Sequence, residues 1–312
     1  MNPNKNSRYV RTDTDLTYSR YLNREWRLPT DTNLRNMSLS LTILGTGSPI
    51  PSPDRAGSAS LVRTTTAAVL VDAGRGVVMR LAAAGVLPTK LDAVFITHLH
   101  SDHISDLNDV ITTHWVMSPT PRPLRIIGPD GTAEMVEGAL AMLAPDIRYR
   151  IAHHDDLNEP PNPEVTELQG GERIEIGDMV ITAEQTDHRP VEPTLGYRVA
   201  AGDAIIALAG DSVPCAGLDR LCDQADLYVQ TVIRDDLVRM IPSARLQDIL
   251  DYHSNVAQAA DTAMRNGVKT LVCTHYVPGR APGDEEEWLA PMRQIFDGAI
   301  VLADDLTTLT AP

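Results

Sequence analysis

The chain has 312 residues, 43% of them apolar, and a formal net charge of −15 at pH 7. That much apolar material fills the core of one large domain or two small ones. No stretch approaches the roughly 20 apolar residues of a membrane span, and so acidic a surface repels phosphate backbones, which excludes a long nucleic acid as the expected partner.

Residues 1–37 differ from the rest, with seven Lys/Arg against four Asp/Glu and four aromatics, Tyr9, Tyr18, Tyr21 and Trp26. They are expected to form an N-terminal extension or arm, leaving 38–312 as the main domain. From Leu39 onward, β-rich apolar runs recur at 41–44, 67–71, 93–96, 124–127, 179–182, 204–208 and 270–273. Helical patterns fall at 75–85, 103–117, 131–143, 255–266 and 284–296, with Ser254 placed to cap the fourth and Gly267 to end it. Alternating runs of this kind imply layered sheets covered by helices. The Pro-rich stretch Glu159–Pro163 reads as a loop. Cys215, Cys222 and Cys273 have no C-x-x-C spacing, which suits reduced thiols in the cytoplasm and leaves histidine and carboxylate as metal ligands. The N-terminus lacks the apolar centre of a secretory signal.

One segment has no use in a folding core. His98-Leu99-His100-Ser101-Asp102-His103 follows the apolar run that ends at Ile96. Its side chains are expected at the carboxyl end of a buried strand, where open sheets build sites. Neutral imidazoles and a carboxylate are zinc ligands, and four of them are too many for a single catalytic ion that must keep a position open. Two ions are implied, with further ligands from His188, Asp211 and His275, each of which follows an apolar strand.

This order, H-x-H-x-D-H then His, Asp and His, resembles the metallo-β-lactamase-fold hydrolases. The resemblance also rests on Leu44-Gly45-Thr46-Gly47-Ser48-Pro49, Val71-Asp72-Ala73-Gly74, Gly210-Asp211-Ser212 and Thr274-His275. Within the superfamily, Arg55-Ala56-Gly57-Ser58, Ile127-Gly128-Pro129-Asp130-Gly131-Thr132 and Tyr252-His253-Ser254-Asn255 look like the ribonuclease Z and arylsulfatase-like branch. The resemblance implies an α/β fold, a four-layer αββα sandwich, with two Zn²⁺ per chain, or Mn²⁺ or Fe²⁺ in their place. It implies that His98, His100 and His188 hold one ion, that Asp102, His103 and His275 hold the other, and that Asp211 bridges them. Such a pair lowers the pKa of a shared water and clamps the oxygens of the ester under attack. Asp102 is expected to steer a proton as well, and His253, not a ligand, to bind the developing charge or protonate the leaving group.

The chain departs from the branch in three places. Only 22 residues separate His188 from Asp211, where ribonuclease Z inserts a long arm that grips transfer RNA. Gln230-Thr231 stands where the branch has a His-Glu pair, and Asn255 stands where it has Thr. The arm's absence and the acidic charge together point to a small-molecule ester, a phosphodiester that is cyclic or linear. Aryl sulfates, lactones and carboxylic esters are the alternatives, and a non-catalytic metal-binding scaffold is a third reading. The expected protein is a cytoplasmic homodimer.

Other polar groups have ordinary explanations. His153-His154-Asp155-Asp156 reads as a solvated turn, and His114-Trp115 as packing or the lining of a pocket mouth. Asp284-Glu285-Glu286-Glu287 reads as a helix start, where acidic side chains suit the positive dipole end. The Leu44–Gly47 segment reads as a tight turn that needs glycine's torsional freedom.

Overall fold

Two seven-stranded mixed sheets form the centre of the molecule in a computed structural model that describes residues 39–120 and 122–312. The expected N-terminal arm lies outside the described residues. In the first sheet the strand order is β14 (Thr307–Ala311), β1 (Leu39–Gly45), β2 (Ala59–Arg63), β3 (Ala68–Val71), β4 (Ala93–Phe95), β5 (Arg125–Pro129) and β6 (Glu164–Leu168). The second runs β13 (Ala299–Leu302), β12 (Thr270–Val277), β11 (Leu227–Ile233), β10 (Ala204–Leu208), β9 (Leu195–Ala201), β8 (Met179–Gln185) and β7 (Arg173–Ile176).

Alternation along these strands decides the layering. One set of side chains, including Leu41, Ile43, Val69, Val71, Phe95, Ile181, Tyr197, Val199 and Ile206, points between the sheets and is buried there. The opposite faces take helices. Leu44, Leu61, Leu70, Val94 and Ile126 of the first sheet pack on α1 (Val77–Ala83) and α3 (Leu107–Met117). Ala207, Tyr228, Leu271 and Cys273 of the second pack on α5 (Ala216–Cys222), α8 (Val256–Arg265) and α9 (Glu285–Arg293), with the short α6 (Asp235–Val238) and α7 (Ala244–Gln247) between α5 and α8 in the chain. The result is the expected αββα sandwich. In the first sheet β3, β4, β5 and β6 run side by side and parallel, with β6 at the sheet edge.

Each strand expected from the apolar runs is present, and β10 matches its run residue for residue. Helices differ more. The 103–117 pattern is split into α2 (Ser101–Ile104) and α3, because the Asp106 N–H donates to the Ala73 carbonyl (3.0 Å) and not up its own helix. The 131–143 pattern continues as α4 (Thr132–His153) straight through Pro145, which has no N–H for its helical bond. The cap of α8 is Asn255, not Ser254. The Asn255 side chain accepts from the Gln258 N–H (2.9 Å) and the Gln258 side chain accepts from the Asn255 N–H (3.0 Å). Ser254 is instead buried, its hydroxyl donating to the Ser212 carbonyl.

The Leu44–Gly47 segment is not the expected tight turn: Leu44 and Gly45 end strand β1, and Thr46 and Gly47 leave it without turning. Neither Gly45 nor Gly47 has a positive φ. A Cβ on Gly45 would fall 1.9 Å from the Gly57 carbonyl oxygen, so close approach of two main chains is what demands glycine there.

Candidate metal centre

Five segments deliver the predicted residues to one place between the carboxyl ends of the strands. After β4 come His98, His100 and, at the start of α2, Asp102 and His103. After β8 comes His188, and after β10 comes Asp211. His275 lies within the last turn of pleat of β12, and His253 just before α8. All of these are buried except His100, which is half-buried.

Their polar atoms face one another. His98 Nε2 lies 3.1 Å from His100 Nδ1, and His188 Nε2 lies 3.3 Å from the same atom. His98, His100, His188 and Asp211 form one group, and Asp102, His103 and His275 a second; within each group the ligand atoms lie within 4.8 Å of one another. Asp211 Oδ2 stands between the groups, 3.8 Å from His98 Nε2, 3.9 Å from His188 Nε2, 3.5 Å from His103 Nε2 and 3.6 Å from His275 Nε2. Asp102 Oδ2 is 2.9 Å from His275 Nε2. Among the described residues, His103 Nε2 and Asp211 Oδ1 are buried without a hydrogen-bond partner. Buried polar atoms rarely stay unpaired, and nitrogen lone pairs rarely converge without a cation. This donor set of imidazoles and carboxylates fits divalent metal ions.

Outer contacts aim the rings. His103 Nδ1 is held by Asp72 Oδ2 (2.7 Å), which also takes a bond from the Thr97 hydroxyl (2.9 Å). His188 Nδ1 donates to the Tyr252 carbonyl (2.8 Å), presenting Nε2 to the cluster. His253 Nε2 lies 3.2 Å from Asp211 Oδ2, and its Nδ1 lies 3.2 Å from the Ile249 carbonyl. Gln230 turns away from His253: its amide accepts from the Tyr228 hydroxyl (2.5 Å) and donates to the Thr231 carbonyl (2.9 Å).

Electrostatics divide the clustered residues. Burial holds His98 well below the ordinary histidine range, with the neighbouring His103 adding to the effect, and burial brings His188 down to about 4. His103 goes the other way. Burial opposes its protonated form, but the Asp211 and Asp72 carboxylates outweigh burial and raise it well above the ordinary value. Burial likewise opposes ionisation of Asp211, yet His275 and His103 hold it well below the usual carboxylate range. A cation bound here would displace the proton of His103, so binding would compete with acid.

Asp72 was visible in the sequence only as part of a turn. The signal that distinguishes it is its φ of 63°, unusual for a residue other than glycine, which His275 shares at 50°. The remaining predicted groups lie elsewhere. His153 and His154 are exposed at the end of α4. His114 and Trp115 are buried in α3, and they line a cavity away from the clustered histidines. Asp284 to Glu287 begin α9 as expected.

Comparison with known proteins places this geometry. The beta-lactamase superfamily domain model matches residues 67–276. Fold and site together define a metal-dependent hydrolase of the metallo-β-lactamase superfamily. Ribonuclease Z of Mycobacterium bovis (strain BCG / Pasteur 1173P2) is 54% identical over 270 residues, 86% of this chain and 96% of that protein. Ribonuclease Z of Mycobacterium marinum is 52% identical over 270 residues, with 86% and 97% covered. The chain therefore belongs to the metallo-β-lactamase superfamily and, within it, to the ribonuclease Z branch. Solved structures agree on the fold. Human tRNase Z, short form, superposes with a TM-score of 0.63 at 24% identity, covering 88% of this chain and 99% of that one. YhfI, a metallo-beta-lactamase fold protein from Bacillus subtilis, gives 0.68 at 22% identity, covering 88% and 100%.

These relatives correct the expected partner. A small-molecule ester and the exclusion of a long nucleic acid do not survive relatives that are named ribonucleases over nearly their whole length. The charge argument failed because net charge averages the entire surface, whereas a phosphate meets the local field of the site. The missing arm did not discriminate either. The same 270 aligned residues account for 96% of the mycobacterial relative, which leaves it no room for a long insertion. Among the described residues no helix is long and apolar enough to cross a membrane.

Proposed function

We propose that this protein is a ribonuclease that hydrolyses a phosphodiester bond of transfer RNA, and that it works with two divalent ions, Zn²⁺ first. The observation that carries the reading is the 54% identity to Ribonuclease Z across 96% of that protein. The donor geometry supports the count of two. His98, His100 and His188 would hold one ion, Asp102, His103 and His275 the other, and Asp211 would touch both. When bound, the ions supply an acidified water and positive charge for the non-bridging phosphate oxygens.

The chain's own residues do the rest. Asp72 and the Tyr252 carbonyl fix the ring orientations of His103 and His188. Asp102, next to His275, is placed to accept the proton of the attacking water. His253, with Nδ1 on the Ile249 carbonyl, presents Nε2 to the cluster, from where it would donate a proton to the leaving ribose oxygen. That carbonyl serves where Gln230-Thr231 provides no carboxylate. We further propose that 38–312 is the hydrolase domain, since the family match lies inside it, and that the protein acts in the cytoplasm, which its three free cysteines suit.

The test uses transfer RNA transcripts that carry extra nucleotides at either end. Zinc- or manganese-loaded protein is expected to cut them at one position, and His98→Ala protein is not. Failure to cut any such transcript, alongside turnover of bis-p-nitrophenyl phosphate, would overturn transfer RNA as the substrate.

A further inference from the structure

Asp304 and Asp305 lie in the turn between β13 and β14, where the Asp304 N–H donates to the Thr307 hydroxyl (2.9 Å). The Asp305 side chain is only 7% exposed, and its carboxylate is fully engaged. Oδ1 accepts from the Thr46 N–H (2.9 Å) and the Thr46 hydroxyl (2.8 Å). Oδ2 accepts from the Ala56 N–H (2.7 Å) and pairs with Arg80 Nε (2.9 Å). A carboxylate offers about four acceptor sites, and bonds to an ionised group are the strong ones. One side chain thus clamps both ends of the loop 47–55, which the Gly47 N–H also closes on the Ala56 carbonyl (2.8 Å).

The clamped residues lie against the group formed by Asp102, His103 and His275. Directly after Ala56, a Cβ added to Gly57 would meet the Arg75 nitrogen at 2.7 Å and the Asp102 carbonyl oxygen at 3.0 Å. Directly before it, Arg55 donates to the Thr46 hydroxyl (2.6 Å) and to the Asp304 carboxylate (2.9 Å). The Arg55 guanidinium lies over the Tyr276 ring, 5.4 Å from its centre, an attractive placement for a cation. Tyr276 follows His275, and its hydroxyl is 3.0 Å from the Ala303 carbonyl, at the start of the same turn.

His275 is the ring that depends on these contacts. In His98 the nitrogen turned away from the cluster is held by the Thr97 hydroxyl (3.0 Å), in His103 by Asp72 and in His188 by the Tyr252 carbonyl. His275 Nδ1 has no hydrogen-bond partner among the described residues. Its ring is aimed by main-chain placement and, on the cluster side, by Asp102 (2.9 Å). The clamp reaches both, through Tyr276 and through Gly57.

We propose, on the two-ion assignment made above, that Asp305 is a positioning residue for one metal subsite. Acting through Gly57 and through Arg55 on Tyr276, it sets the affinity of the Asp102, His103 and His275 group for its ion. The group of His98, His100 and His188 is aimed by other contacts and does not depend on it.

The experiment titrates zinc into metal-stripped full-length protein against a chromophoric chelator, with native mass spectrometry counting the ions bound at each step. Asp305→Asn keeps the side-chain shape but turns an amide N–H₂ toward the Thr46 or Ala56 N–H, so a buried donor loses its acceptor. Losing an outer support of a metal ligand weakens metal binding about 10–100-fold, and for this indirect support the lower end, about tenfold, is expected in one binding step and not in the other. Arg55→Met, which keeps the stem and removes the guanidinium from Tyr276 and Asp304, should weaken the same step. Added to His188→Ala, Asp305→Asn should weaken the site that remains; added to His275→Ala, it should change nothing further. Unchanged binding in both single variants, or equal weakening of both steps, overturns the proposal. Wild-type protein that takes up fewer than two ions overturns the two-ion assignment and the role of Asp305 with it, so the wild type tells the two failures apart.

Discussion

Gly74 lies where the turn after β3 passes against the metal-binding segment. A Cβ there would fall 2.2 Å from the Asp102 carbonyl oxygen, 2.6 Å from the Gly57 carbonyl carbon and 2.7 Å from the Ser58 nitrogen. All three are main-chain atoms, and none can swing aside. Ordinary contact starts at 3.4 Å, so in Gly74→Ala the Asp102 main chain must retreat by more than an ångström. Overpacking of this kind costs typically 1–3 kcal/mol, and with three rigid neighbours the upper end, about 3 kcal/mol, is expected. For a domain of this size that lowers Tm by about 6–12 °C. The displaced Asp102 and His103 should also reduce phosphodiester hydrolysis by about a hundredfold, the usual effect of misplacing a catalytic group by about 1 Å. Thermal melts by circular dichroism and rates on bis-p-nitrophenyl phosphate measure both effects. Gly138→Ala is the internal control. It sits in α4 with nothing within 4 Å of an added Cβ, so it should gain about 0.5–1 kcal/mol from helix propensity. If Gly74→Ala melts and turns over like the wild type, the close-approach reasoning is wrong.

Three further outcomes are expected. His253→Ala should lose about 10²–10⁴-fold in rate while metal content by mass spectrometry stays unchanged; a parallel loss of metal would instead make His253 a ligand. Asn255→Ala removes the cap of α8 and should cost about 1 kcal/mol in denaturant unfolding, with activity retained. His114 has a folded-state pKa of about 4 against an ordinary value near 6.5. Its contribution to stability is therefore complete above pH 6.5 and is lost as pH falls toward 4, up to about 3 kcal/mol in all. Unfolding at pH 7 and pH 5 should show the difference between His114→Leu and wild type moving in the variant's favour at the lower pH; a constant difference would show that His114 does not contribute.

The candidate metal-binding residues were legible because all but His275, which lies inside β12, follow an apolar strand, and strand period and strand end are local features of the chain. His98, His100, Asp102 and His103 sit in one short segment, and His188 and Asp211 are placed by the runs before them. Asp72 was not legible as a support for His103, because that bond joins β3 to a segment 31 positions later. The split after α2 escaped for the same reason. Helical periodicity runs unbroken through 103–117, and only the bond from the Asp106 N–H to Ala73 interrupts it. Strands β6 and β7 carry exposed polar residues and lacked the apolar run that marks a buried strand. The partner was misread because a whole-chain charge says little about the field at one site.

By itself, the order of residues determined the layered α/β architecture and the set of side chains able to bind metal, since both depend on short-range periodicity and on chemical type. Tertiary structure alone decided which nitrogens face which carboxylates, that Asp211 stands between two groups of potential ligands, and that His114 is buried with a nitrogen unpaired among the described residues. Those are distances between segments far apart in the chain, and they exist only once the two sheets have packed face to face.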